Sequence, residues 1–223
     1  SDPESSLPHM VPSIELFCKL IKKIGIGDGH QIVVYDSLGI FSSARVWWFL
    51  KYFGLSNVSI LNGGLPKWLA ENKAVTTEIP KFAANQVSPK LDTKILCDLL
   101  EVKMASKLGH KQIIDARPQK RFAGKAPEPR SGLRSGHIPG SKNLCYRDIL
   151  NLDMTVKDTE TLKSLFSEKH IKITEPIITT CGSGVTAAIL YLALEIIGAR
   201  NVSLFDGSWA EWGSSSDLPV EQD

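Results

Sequence analysis

The spacing of apolar and polar positions divides the chain into short runs of two kinds. QIVVYD at 31–36, VSIL at 58–61, QIIDA at 112–116 and PIITT at 176–180 are nearly continuous apolar stretches bounded by turn residues, the pattern of strands buried on both faces. A shorter strand is expected at 142–145. SSARVWWFLKYF at 42–53, closed by Gly54, reads as a helix, as do 65–72, 92–108, about 158–168 and about 185–197. The two kinds alternate, which predicts an α/β fold built on mostly parallel sheets. From 73 to 91 the periodicity lapses and Pro80 and Pro89 interrupt the chain. The expected division is a first domain at 1–75, a linker at 76–91 and a second domain at 92–223. Residues 117–140 read as a long loop rich in Arg, Gly and Pro.

The pattern also repeats. Sliding the chain over itself by 144 positions lays GLSNVSILNGGLPKW at 54–68 on GARNVSLFDGSWAEW at 198–212, with identity at Gly54/Gly198, Asn57/Asn201, Val58/Val202, Ser59/Ser203, Gly63/Gly207 and Trp68/Trp212. The same shift lays IVVYDS on PIITTC, so Ser37 falls on Cys181. Two copies of one unit are implied, of which only the second carries a cysteine after its strand. Counterparts of the helix, strand and loop at 92–140 would lie ahead of Ser1, so the first domain is expected to be incomplete as written, either truncated or completed from outside this sequence.

Composition narrows the function. The chain has 223 residues, 43% hydrophobic and 22% charged, and its 26 basic and 24 acidic residues are interspersed, leaving a net charge of +2. Without a basic block or an aromatic-basic stripe, neither nucleic acid nor a membrane is the expected partner. A small anion needs only two or three placed cations. No run approaches the roughly 18 to 20 apolar residues that span a bilayer, and residues 1–12 do not read as a signal peptide. Cys18, Cys97, Cys145 and Cys181 are far apart and form no CxxC pair, so no zinc cage, metal site or redox dithiol is expected. A reducing compartment follows, the cytoplasm by default, with the mitochondrion open because a targeting segment would precede this sequence. The NVS triplets at Asn57 and Asn201 sit among apolar strand-like residues and read as chance.

Chemistry concentrates in CGSGVTA at 181–187. Cys181 follows a buried-type strand and precedes a helix, and Gly182 and Gly184 let the backbone curl so that several N–H groups point inward. Such a cradle at a helix N-terminus favours a thiolate. The other three cysteines lie in apolar helical or strand patterns and read as inert. Phosphoryl transfer on a loop of this shape needs an arginine six residues after the cysteine, and here that residue is Ala187. Sulfur transfer remains, with a persulfide held by the same N–H groups.

CGSGVTA at 181–187, RFAGKAPEPRSGLRSGHIPG at 121–140, YDSLGIFSSARVWW at 35–48 and DGSWAEW at 206–212 together resemble the rhodanese superfamily over nearly the whole chain. The resemblance implies tandem rhodanese-like domains, each a mostly parallel sheet flanked by helices, the first inactive and N-terminally truncated. It implies a sulfurtransferase that moves sulfur from 3-mercaptopyruvate through a Cys181 persulfide to a thiol such as thioredoxin, or to cyanide, with no cofactor. The neutral Gly182 and Ser183 favour this donor over thiosulfate, whose users carry basic residues after the cysteine. Arg121 and Arg130 are the implied carboxylate-binding pair, and forked donors in a Gly/Pro-rich loop suit that task. Ser183 and His9 are the implied proton relay. Its acid would precede residue 1, and Asp2 does not match the motif position. Gly182, Gly184, Val185 and Thr186 complete the substrate loop, and Asp115, at a strand end, is expected to orient it. Arg117 and Arg134 have weaker claims. His137 reads as a turn anchor, Trp47 and Trp48 as packing, and Asp206 and Ser208 as contacts of the cysteine loop. Thiosulfate transfer, or a persulfide carrier without turnover, stand as alternatives.

Overall fold

The computed structural model describes every residue except 79–81 and 84. The first half opens with α1 (Ile14–Lys23), where no element was expected. Ser13 caps it by accepting the Leu16 N–H, and it buries Phe17 and Ile21. Phe17 stacks on Phe53 with ring centroids 3.8 Å apart. Then follow β1 (Ile32–Val34), α2 (Ser42–Tyr52), β2 (Val58–Ile60) and α3 (Gly64–Ala70), with β1 and β2 paired in parallel. Among the described residues this sheet has two strands, and Val33 and Tyr35 are more than half exposed. Residues 79–81 and 84 of the expected linker lie outside the described residues; its described remainder carries no helix or strand.

The second half holds β3 (Leu96–Cys97), α4 (Leu99–Leu108), β4 (Gln112–Asp115), α5 (Gln119–Phe122), β5 (Lys142–Asn143), α6 (Thr159–Glu168), β6 (Ile177–Thr180), α7 (Ala187–Ile196), β7 (Val202–Phe205) and α8 (Ser208–Trp212). The five strands are all parallel, in the order β3-β7-β6-β4-β5. The central β6 is buried along its whole length, which is why its apolar run does not alternate. The helix expected at 92–108 is a correction: Asp92 caps a 3₁₀ turn at Thr93–Ile95, Leu96 and Cys97 pair with Leu204 and Phe205 at the sheet edge, and Asp98 then caps α4 by accepting the Glu101 N–H at 2.9 Å. Pairing with a distant strand outweighs local helical spacing, and two Asp caps set the boundaries. Within the loop expected at 117–140, residues 119–122 turn into the short helix α5.

The halves share one core. Helix α2 packs on α7, Trp47 lies 6.0 Å from Tyr191, and Lys51 pairs with Glu195 at the rim. Trp47 and Trp48 are buried, and the core they join runs on through Leu190 and Leu194 of the second half.

Hydrogen bonding fixes how the two copies correspond. The Ile32 N–H donates to the Asn57 carbonyl and the Ile177 N–H to that of Asn201, each at 2.9 Å. The Leu65 N–H donates to Asp36 O as the Trp209 N–H does to Cys181 O, and Gly39 and Gly184 both adopt positive φ. The residue equivalent to Cys181 is therefore Asp36, one place before the Ser37 that an ungapped overlay assigns. The offset is absorbed in α2, which has 11 residues against 10 in α7.

Candidate active site

β6 delivers Cys181 at its carboxyl end, beside the end of β4, where parallel sheets place their sites. The cysteine is 2% exposed. Its peptide groups are fixed from α8: the Cys181 N–H donates to Ser208 Oγ at 3.2 Å, Trp209 N–H to Cys181 O and Ala210 N–H to Gly182 O, both at 2.9 Å. Ser208 in turn donates to the Phe205 carbonyl. The N–H groups of Gly182 through Thr186 donate to no backbone or side-chain acceptor among the described residues, so the cradle is open. Gly184 permits this curl at φ +78°; a Cβ there would stand 3.0 Å from Asp206 O and 3.2 Å from Arg45 Cζ.

The arginine loop is held by a buried chain of alternating charge. Arg117 binds Asp115 through Nε and Nη2, and its Nη1 reaches Glu128 Oε1 at 2.8 Å; all three side chains are 1% exposed. Arg121 closes the chain, its Nε donating to Glu128 Oε1 at 3.2 Å and its Nη2 to Oε2. One edge of the Arg121 fork is thereby committed, leaving Nη1 without a hydrogen-bond partner among the described residues. Its Nη2 would lie 3.1 Å from a Cβ on Gly182. Arg130 lies across the cleft with Nη2 3.3 Å from Ser183 Oγ. The Asp115 carboxylate, expected to orient the cysteine loop, accepts from the Arg117 backbone N–H, Nε and Nη2, and among the described residues it has no hydrogen bond to that loop. Arg134 feeds the carbonyls of Gly213, Trp212 and Leu218, and His137 stacks on Phe122 with Nδ1 2.9 Å from that residue's carbonyl oxygen, so neither faces the cleft.

His9 comes from the other half of the molecule. Its Nδ1 lies 3.0 Å from Ser183 Oγ. Partial burial, followed by the charge of Arg130, pushes the imidazole below its ordinary pKa; the contact with Ser183 acts the other way. A neutral ring follows near pH 7, able to accept from or donate to the hydroxyl according to tautomer. Asp2 spends its carboxylate on the Glu4 N–H.

His9, Arg121, Arg130, Cys181, Gly182, Ser183, Val185 and Thr186 together line one open cleft of about 460 Å³, joined by Phe41 and Pro129. A larger, mostly apolar depression of about 710 Å³ beside α4, lined by Leu100, Met104 and Trp212, holds no cysteine, histidine or arginine. Sequence reasoning missed Glu128, Arg45 and Phe41. Glu128 sits inside the motif PEPR between two arginines, a spacing that signals an internal ion pair once the loop is known to close on itself.

A deep cysteine in an open backbone cradle at the end of a central parallel strand defines a sulfur-handling site of the rhodanese type. The chain matches the rhodanese-like domain family over residues 5–71 and 99–215, and it belongs to that family. It is 39% identical over 221 residues to the 3-mercaptopyruvate sulfurtransferase of Escherichia coli (strain K12), covering 99% of this chain and 78% of that protein. To the human 3-mercaptopyruvate sulfurtransferase it is 36% identical over 214 residues, 95% of this chain and 72% of that one. The crystal structure of Tum1 from Saccharomyces cerevisiae superposes with a TM-score of 0.90 at 31% identity, covering all of this chain and 80% of that one.

Proposed function

We propose that this protein is a 3-mercaptopyruvate sulfurtransferase working through a persulfide on Cys181, with an inactive half at 1–75 and a catalytic half at 92–223. The observation that carries the reading is the convergence, in one cleft, of Cys181, Arg121, Arg130 and the Ser183–His9 pair. Arg121 and Arg130 hold the donor's carboxylate, so that its thiol sulfur descends toward Cys181. The thiolate attacks that sulfur, the C–S bond breaks, and the electron pair passes to C3 as pyruvate enolate. A proton delivered through Ser183 and His9 converts the enolate to pyruvate. The unengaged N–H groups of the loop stabilise thiolate and persulfide in turn. An incoming thiolate, for which a thioredoxin-type protein is suited, or cyanide attacks the outer sulfur and restores Cys181. Neither half-reaction requires a metal or organic cofactor.

The four cysteines are all unpaired, which suits a reducing interior, the cytoplasm first and the mitochondrion second. Among the described residues no helix is long and apolar enough to cross a membrane.

Exposure of the protein to 3-mercaptopyruvate should add one sulfur to the Cys181 peptide in a mass spectrum, with pyruvate released. A wild-type protein that releases pyruvate without that mass increase, or does neither, overturns the reading. Relative turnover of 3-mercaptopyruvate and thiosulfate tests the donor: a wide advantage for thiosulfate reassigns it.

A further inference from the structure

Arg45 on α2 and Asp206 at the end of β7 form an ion pair whose side chains are only 4% and 8% exposed. An ion pair sealed from water adds little stability of its own, because desolvation offsets the attraction. The Arg45 guanidinium sits 4.7 and 4.2 Å from the ring centroids of Trp48 and Phe49, and its Nε and Nη1 have no hydrogen-bond partner among the described residues. Only Nη2 is engaged, and it serves two acceptors: Asp206 Oδ1 and, at 2.9 Å, the His9 carbonyl. The other Asp206 oxygen accepts the Val11 N–H at 2.9 Å.

The pair therefore grips the peptide groups on either side of Met10. Immediately before the first grip His9 is held at φ +63°, in the left-handed region that L-residues seldom occupy. From that backbone Nδ1 reaches Ser183 Oγ. The same guanidinium lies against the cysteine loop at Gly184. Arg45 thus hydrogen-bonds the carbonyl of the relay histidine in one half and borders the nucleophile loop of the other at Gly184, where a Cβ would stand 3.2 Å from its Cζ.

We propose that Arg45 and Asp206 are positioning residues for sulfur transfer: their buried pair clamps the His9–Val11 segment so that the His9 ring stays on Ser183 while the donor is cleaved. The role in turnover rests on the sulfurtransferase reading above; the clamp itself does not. Misplacing a proton-handling group by an ångström costs up to about 100-fold in rate. Arg45→Met should therefore lower kcat with 3-mercaptopyruvate roughly 10- to 100-fold while KM moves less than about threefold, since Arg121 and Arg130 are untouched. In a His9→Gln background the same substitution should cost less than about twofold, because it acts through a ring already gone. Arg45→Lys, which keeps the charge on a single nitrogen, should recover part of the loss.

An NMR record of the histidine ring resonances reads the clamp without any turnover: in Arg45→Met the His9 signals should move to those of an exposed imidazole. A folded Arg45→Met protein with unchanged His9 resonances, or with a kcat loss undiminished in the His9→Gln background, overturns the proposal. If Arg45→Met does not fold, Arg45→Lys supplies the same two readouts, smaller in size, and its failure to move either of them overturns the proposal as well. Wild-type protein that shows the clamped His9 signals but forms no persulfide would refute the assigned reaction and leave the clamp standing.

Discussion

The loops after β1 and β6 are built on one plan and used in opposite ways. Each follows a strand, turns at a glycine of positive φ and runs into a helix. In the first loop the cradle is filled from within: the Asp36 carboxylate accepts the N–H groups of Leu38, Phe41 and Ser43 at 2.8 to 2.9 Å. Burial alone would raise that carboxyl, but the three donors outweigh it and hold Asp36 below the ordinary carboxylate range. In the second loop the equivalent place holds Cys181, and the N–H groups of 182–186 have no acceptor among the described residues. The same backbone thus serves as a fastening when its anion is built in and as a reaction site when the anion must arrive or form. An unsatisfied cradle has a cost in stability, and of the two loops only the one that carries Cys181 bears it.

Five substitutions test that contrast, beginning with the largest effect. Cys181→Ser should abolish persulfide formation, read as the missing sulfur on the 181 peptide, with a melting temperature close to that of the parent because only one atom changes and the side chain shrinks only slightly. Arg121→Met and Arg130→Met should each raise KM for 3-mercaptopyruvate by roughly 10- to 100-fold, the range expected when one charge-assisted carboxylate contact of about 1.5–3 kcal/mol is lost; steady-state kinetics at constant ionic strength decide it. Gly184→Ala places a Cβ against Asp206 O and Arg45 in a left-handed backbone, so kcat should fall about tenfold through a displaced loop, with some loss of thermal stability. Asp36→Asn should leave kcat within about twofold and cost about 1–2 kcal/mol of stability at neutral pH, since a neutral amide satisfies the three donors poorly.

The last effect has a defined pH window. The folded-state Asp36 carboxyl is depressed relative to the unfolded chain, so its contribution is complete above the unfolded value of about 3.9 and disappears as the pH falls through the folded one. The parent and Asp36→Asn denaturation midpoints should therefore converge on acidification. If they stay apart at low pH, the carboxylate is not what closes the first cradle.

Much of this was legible in the chain itself, for reasons that also explain the gaps. The long apolar runs of β4 and β6 and the flanking glycines identify buried strands feeding a loop, so Cys181 was readable as a nucleophile from its local setting. The edge strand Leu96–Cys97 was not, because two residues carry no period and only the partner β7 defines them. Asp36 was hidden behind Ser37 by one extra residue in α2, an insertion that an ungapped overlay cannot register but hydrogen bonds can. Arg45 lies in a helix where an arginine ordinarily reads as solvated; its burial depends on a carboxylate 161 positions away. The Asp115–Arg117 pair was not legible, since an arginine only two residues on would ordinarily point to solvent and here is 1% exposed.

The aromatic seam between α2 and α7 has a consequence for traffic through the cleft. Two bodies joined by a shared apolar core, with Trp47 against Tyr191, and fastened by the Lys51–Glu195 and Arg45–Asp206 pairs, have a boundary that resists swinging. The cleft is accordingly a slot of set width rather than a jaw, and entry depends on the visitor's shape. A small molecule slips in whole; anything larger would have to reach the cysteine on a narrow projection.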